Sequence, residues 1–221
     1  MRSIQKFFLL SVILIIADRV QSQSMADIFR LLPEDCTPDL DSKQRDTLLQ
    51  IGKYVLPGGD SSETIEYELD SSGFSDYIYF VWSFTTGQRG FIQHELRKFK
   101  KNDGGTLIIY SKYGGTPVGY DQRELIIFDY KNNKLTINKK NLLPKEIPIT
   151  SFLKPNTPSL VVKKIQNEFS SCYHLNPENP KTITFEISPY ITNDDEEKYI
   201  IGYTIPFVWN GRSFTRKPVK D

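Results

Sequence analysis

Cys172-Tyr-His174 sets an imidazole two residues from a thiol, a combination used by thiol hydrolases and by mixed N/S metal sites. The other histidine, His94, lies on the Ile92/Leu96 side of an alternating run, which suits a hydrogen-bonded structural histidine better than a catalytic one. Zinc asks for three or four N/S ligands at defined spacings, and His94, His174, Cys36 and Cys172 are the chain's entire supply. No His-Glu-x-x-His, Gly-x-Ser-x-Gly or phosphate-cradling glycine loop occurs, so neither a metal nor a cofactor is expected. The acidic run Asp194-Asp-Glu-Glu197 offers oxygen ligands for calcium, but it lacks spaced ligands and a mid-loop glycine and reads as a solvated connection. Carboxylates for glycoside hydrolysis need only lie about 5–10 Å apart in space, and nothing in the sequence singles out a pair. No catalytic residue is therefore assigned.

The positive hint is aromatic. With 12 Tyr, 14 Phe and 2 Trp, the chain has flat faces of the kind that bind sugars and peptides. Tyr77 and Tyr79 on one strand, with Tyr110 and Tyr130 on neighbouring strands, could form such a platform. The competing reading makes them a second core layer under helices. Trp209, beside Asn210-Gly211, marks a C-terminal hairpin that could instead present an exposed tip to a partner.

These side chains need a scaffold, and the chain from Gly90 to Tyr130 supplies its centre. Three β-forming runs, Gly90–Phe99, Thr106–Ser111 and Glu124–Tyr130, are separated by Lys101-Asn-Asp-Gly-Gly105 and Tyr113-Gly-Gly-Thr-Pro117, the pattern of consecutive antiparallel strands. The second and third runs are apolar on both faces, which predicts central strands covered on both sides. Before them, Ile65, Tyr67 and Leu69 alternate with Glu66 and Glu68, and Ile78, Phe80, Trp82 and Phe84 form a core face. A basic cluster, Arg97, Lys98, Lys100 and Lys101, reads as a wet strand end or a protected edge.

Met25–Leu32 reads as a helical turn stopped by Pro33, and Asp41-Ser42 caps a second helix that docks Leu48, Leu49 and Ile51 on the sheet and ends near Gly52. Thr157-Pro158 starts a helix whose apolar stripe is Val161, Ile165 and Phe169. Strands return at 182–187 and 198–208. Asn210-Gly211 predicts a two-residue loop pairing Trp209 with Arg212, Val208 with Ser213 and Phe207 with Phe214.

The first 22 residues read as a leader. Arg2 and Lys6 precede an apolar run from Phe7 to Ala17, and Val20-Gln-Ser22 fits a signal-peptidase site. That run is too short to span about 30 Å of hydrocarbon. Cleavage near Ser22 takes basic residues from 28 to 25 and acidic ones from 27 to 26, a mature net charge of −1. Near-neutrality argues against nucleic acid as a partner. An oxidising compartment permits a Cys36–Cys172 disulfide, and two separate buried thiols fit equally well.

Gly104-Gly-Thr-Leu-Ile-Ile109, Glu124-Leu-Ile-Ile-Phe-Asp-Tyr130, Asn141-Leu-Leu-Pro144 with Ser151-Phe-Leu153, Tyr173-His-Leu175 and Trp209-Asn-Gly-x-x-Phe214, behind a leader and Met25-Ala-Asp-Ile-Phe29, resemble uncharacterised exported proteins of Bacteroidetes-type bacteria. The resemblance implies location and fold style and supplies no catalytic residue.

Together these readings predict a leader at 1–22 and one exported α+β domain over 23–221. That domain is a mainly antiparallel sheet with an N-terminal helical segment and one helix near 158–170. The expected function is a non-enzymatic secreted or periplasmic binding or scaffolding module whose partner is a glycan, a peptide or an envelope protein, with no transmembrane segment after cleavage. The alternatives are a hydrolase using carboxylates or the Cys172/His174 pair, and a secreted inhibitor or immunity-type protein.

Overall fold

A computed structural model describes residues 24–38, 40–57, 64–70, 75–84, 90–116, 119–167, 169–175, 177–189 and 194–219. The expected leader lies outside the described residues. The chain begins with α1 (Met25–Arg30) and α2 (Ser42–Ile51). Each starts with a reciprocal capping box, Ser24 with Asp27 and Asp41 with Gln44, and α2 stops at Gly52, whose φ of 79° is open to glycine at little cost. Leu48 is buried under α2 as the stripe predicts, but Ile51, the last residue of the helix, is 70% exposed and does not dock on the sheet.

Seven strands then follow in simple meander order: β1 (Lys53–Pro57), β2 (Thr64–Asp70), β3 (Tyr77–Phe84), β4 (Phe91–Lys100), β5 (Thr106–Thr116), β6 (Gly119–Lys131) and β7 (Lys134–Ile137), each antiparallel to the next. The expected turn at 113–117 is instead mostly strand. Gly114 is paired with Ile92, and a Cβ there would come within 2.6 Å of the Phe91 carbonyl oxygen, so this glycine permits close approach of β4 and does not turn the chain. The tight primed turn sits at Asn132-Asn133, both with positive φ (52° and 58°).

After a crossover and α3 (Ser159–Asn167), a second sheet has the order β11-β10-β9-β8, from β8 (Phe169–His174), β9 (Thr182–Pro189), β10 (Thr204–Trp209) and β11 (Phe214–Arg216). A short helix, α4 (Asp194–Glu197), precedes β10. The helix predicted near 158–170 is present but ends at Asn167. Phe169 opens β8 instead of extending the helical stripe. The Asn210 turn also differs, since the pairs are Trp209 with Phe214 and Val208 with Thr215, around a four-residue loop. Asn210 Oδ1 accepts the N–H groups of Arg212 and Ser213, both at 2.9 Å, which spends the asparagine on an Asx turn.

The result is α+β and mainly antiparallel. The seven-stranded sheet has a core on each face. Tyr67, Ile78, Phe80, Leu96, Ile108, Tyr110 and Phe128 pack under α1 and α2, while Phe99, Leu107, Ile109 and Ile127 face the second sheet. Ile108, Ile109 and Leu107 are completely buried, as strands apolar on both faces require.

Candidate functional site

The residues with reactive chemistry meet where the two sheets join. β8 pairs with β9 on one side only, and on its other side the backbone is met by side chains of the seven-stranded sheet. Asp121 Oδ1 accepts the Ser171 N–H at 3.4 Å and Gln122 Oε1 the Tyr173 N–H at 2.7 Å. Ser111 Oγ donates to the Tyr173 carbonyl at 2.6 Å, and Glu95 Oε2 accepts the Leu175 N–H at 2.9 Å. Arg97 Nη1 donates to the Leu175 carbonyl and, at 3.1 Å, to that of Thr182, while Nη2 reaches the Asn179 carbonyl at 2.7 Å. A row of polar side chains thus completes a strand edge that would otherwise be buried with orphan groups. Gln122 can join the row because β5 and β6 slip register between Lys112 and Tyr113. Its amide fills that bulge, donating to the carbonyls of Lys112 (2.9 Å) and Glu124 (2.6 Å).

Cys172 and His174 flank this joint. The thiol lies 3.2 Å from His174 Nε2, and His174 Nδ1 lies 3.9 Å from Glu95 Oε2, so thiol, imidazole and carboxylate are in line. The chemistry of that line is nonetheless quiet. Cys172 is fully buried, and burial followed by the Glu186 and Glu95 carboxylates pushes its pKa up, so the weakly nucleophilic thiol form is held. Burial also raises the pKa of Glu95, against the pull of His174, Tyr77 and Arg97. Among the described residues no group of three or more His, Cys, Asp or Glu is placed to hold a metal ion.

Cys36 lies in the core under the helices, and Cys172 on the strand that meets the opposite face of the sheet, so the bridge the sequence allowed is not formed. The sheet stands between them. Burial, reinforced by Glu124, pushes Cys36 up to about 12. Ellman's reagent is expected to find no fast-reacting thiol in the native protein and both thiols in guanidinium without reductant. No thiol in guanidinium would mean a disulfide.

The four tyrosines do not share a surface. Tyr77 and Tyr79 belong to the inter-sheet face, and Tyr110 and Tyr130 to the helical face, because their strands place them on opposite sides of the pleat. Their hydroxyls serve as fastenings. Tyr77 donates to Glu95 Oε1 at 2.7 Å, Tyr79 accepts from Gln93, and Tyr110 donates to the Cys36 carbonyl at 2.9 Å. Trp209 is buried between Phe99 and Phe214, with its indole N–H on the Lys100 carbonyl at 2.7 Å, so it offers no exposed tip. These positions correct the idea of an aromatic platform to that of two core layers.

The basic cluster is corrected too. Arg97 has no exposed surface, whereas Lys101 pairs with Asp129 at the strand end as expected. Glu196 of the acidic run is buried against Lys164, and the run forms α4. His94 is structural, stacked at 4.2 Å on Phe80 and bonded through Nδ1 to Tyr110 Oη at 2.8 Å.

A concavity lies elsewhere, beside β6. β7 pairs only with Phe128–Lys131, and a final bond runs from the Asn138 N–H to the Ile127 carbonyl at 2.7 Å. The chain then swings away as the irregular crossover 138–149, leaving a groove of about 950 Å³ between that crossover and β6. Leu125, Ile127, Leu142, Leu143, Ile147 and Phe169 give it an apolar lining. By strand alternation the N–H and C=O of Leu125 point the same way as the Ile127 carbonyl, into the space that β7 vacates. Ile137, 66% exposed, stands at its end. Sequence reading missed this groove. The available signal was a long β-forming run (Glu124–Tyr130) followed by a much shorter one before Asn141-Leu-Leu-Pro144.

No family model matches the chain, and no curated protein matches it. A solved domain of an uncharacterized protein from Porphyromonas gingivalis W83 is similar in fold, with a TM-score of 0.59 over 87% of this chain and 97% of that one, at 16% identity. That organism belongs to the Bacteroidetes, in line with the resemblance seen in the sequence.

Proposed function

We propose that this chain is an exported, non-enzymatic binding module that receives an extended polypeptide segment in the groove beside β6 and adds it to the sheet as a strand. The observation that carries the reading is the mismatch between β6, 13 residues long, and β7, 4 residues long, which leaves a backbone edge facing an apolar-lined groove. An extended peptide supplies the missing donors and acceptors, while its alternate side chains reach the lining. A groove of about 950 Å³ lies at the upper end of ordinary ligand sites. Export rests on Arg2, Lys6, the apolar run and Val20-Gln-Ser22. The buried Cys172 thiol supports the non-enzymatic reading against a thiol hydrolase.

The test uses fluorescence anisotropy with labelled β-forming peptides of about ten residues, N-methylated on alternate residues in two out-of-phase sets. One set should lose at least about tenfold in affinity, a loss of one or more backbone hydrogen bonds, while the other still binds. Equal binding of both sets would exclude strand addition. Retention of glycans alone would move the partner to carbohydrate.

A further inference from the structure

Resting on the groove reading above, we infer that the segment taken by the β6 edge is apolar on both faces at its end next to β7, with two adjacent apolar residues there in place of strict alternation with polar ones. The two sides of this edge are built differently. The crossover leaves toward the second sheet, since its Leu143 and Ile147 are buried in the inter-sheet core and Leu142 packs against it. Leu125 faces that same layer. On the helical side, the register pairs Phe128 with Ile137, so Ile137 shares a face with Phe128, Ile126 and Leu135, which lie in or against the core under the helices. Ile126 is only half-buried and Ile137 is exposed, and both line the groove. These two isoleucines form a second apolar wall, on the side that the crossover does not take.

A strand laid along β6 prolongs the line of β7 beyond Asn138. Its residue opposite Leu125 enters the lining formed by Leu125, Leu142 and Phe169. Its residue opposite Ile126 points to the helical side, two places on from Ile137 and roughly 7 Å from it along the strand, where aliphatic side chains still meet. An apolar residue at that position covers both isoleucines, whereas a polar one leaves Ile137 in water. Glu124 comes next on the same face and acts on Cys36 and Tyr110 of the helical layer, so the apolar wall ends there. The demand for an apolar residue on the helical side therefore holds at one position and not along the whole segment.

The parent probe is a labelled peptide of about ten residues in which valine alternates with threonine, and each threonine is replaced in turn by valine, which exchanges a hydroxyl for a methyl. Replacement at one position should raise affinity at least about fivefold, while the others change it by less than about twofold. The gain should vanish in the Ile137→Thr protein, an exposed change checked for an unaltered thermal midpoint. If no position gains, if every position gains alike, or if the gain survives Ile137→Thr, the two-faced pattern is overturned, and binding of the parent peptide leaves strand addition standing. If neither the parent nor any of its variants binds, both readings fall.

Discussion

Replacing Arg97 with methionine should lower the stability of the fold by about 3–5 kcal/mol, the cost of breaking a buried charge site whose two terminal nitrogens are hydrogen-bonded. Arg97 leaves the seven-stranded sheet and donates to three carbonyls of the second sheet and the loop before β9: Leu175, Asn179 and Thr182. Asp76, 3.9 Å from Nη2, is the nearby countercharge. Methionine fills much of the volume but donates nothing, so the buried Leu175 and Thr182 carbonyls lose a partner in a dry setting, at about 1–3 kcal/mol apiece before relaxation, and the part-buried Asn179 carbonyl loses less. Lysine should recover a minor part, because one ammonium cannot reproduce the planar fork. The measurement is the urea midpoint at unchanged slope, with Arg123→Met as a surface control expected within about 0.5 kcal/mol of wild type. A loss below about 1 kcal/mol for Arg97→Met would mean that the two sheets hold together without this side chain.

Acid should destabilise the protein through His94. Tyr110 spends its only proton on the Cys36 carbonyl, so Nδ1 of His94 must carry the hydrogen in their shared bond. Burial first, and the charge of Lys112 second, lower the His94 pKa to about 3. The sign follows from linkage. Below about pH 6.5 the unfolded chain binds a proton here and the folded chain does not, so stability falls with pH by about 1.4 kcal/mol per unit. The loss continues down to the folded pKa, reaching about 4–5 kcal/mol. Glu95 acts in the opposite sense, because its folded pKa is raised, and it adds stability as pH falls toward the ordinary carboxylate value. Measuring wild type against His94→Gln, and both again in a Glu95→Gln background, separates the two slopes. The His94→Gln protein should show a flatter acid limb, and Glu95→Gln a steeper one. Parallel limbs for wild type and His94→Gln would place a charged or solvated imidazole at position 94.

What could be read from the sequence was governed by local physics. The alternation in 64–69 and 78–82, the capping signal of Asp41 and the double-faced runs at 107–110 and 125–128 each depend on near neighbours, and the structure agrees with them. The failures share another cause. Arg97 looked like a surface cation because its partners lie about 80 positions away along the chain, and a basic residue on a strand gives no hint of three distant carbonyls. Gly114 looked like a turn because the proximity of Phe91 is tertiary. The tyrosines looked like a platform because composition reports aromatic content but not which side of a sheet it faces. The groove was invisible for the same reason, since it is the space left where β7 is too short to cover β6, and a wall of it comes from an irregular crossover with no period to read.

The account stands on the backbone edge of β6, and hydrogen exchange at Leu125 tests it most directly. In the free protein that amide should exchange much faster than its neighbour Ile126, which faces β5, and adding a β-forming peptide that binds should slow Leu125 by at least about tenfold while leaving Ile126 unchanged. A Leu125 amide already protected in the free protein, or one that stays fast while the peptide is demonstrably bound, would contradict strand addition at this edge.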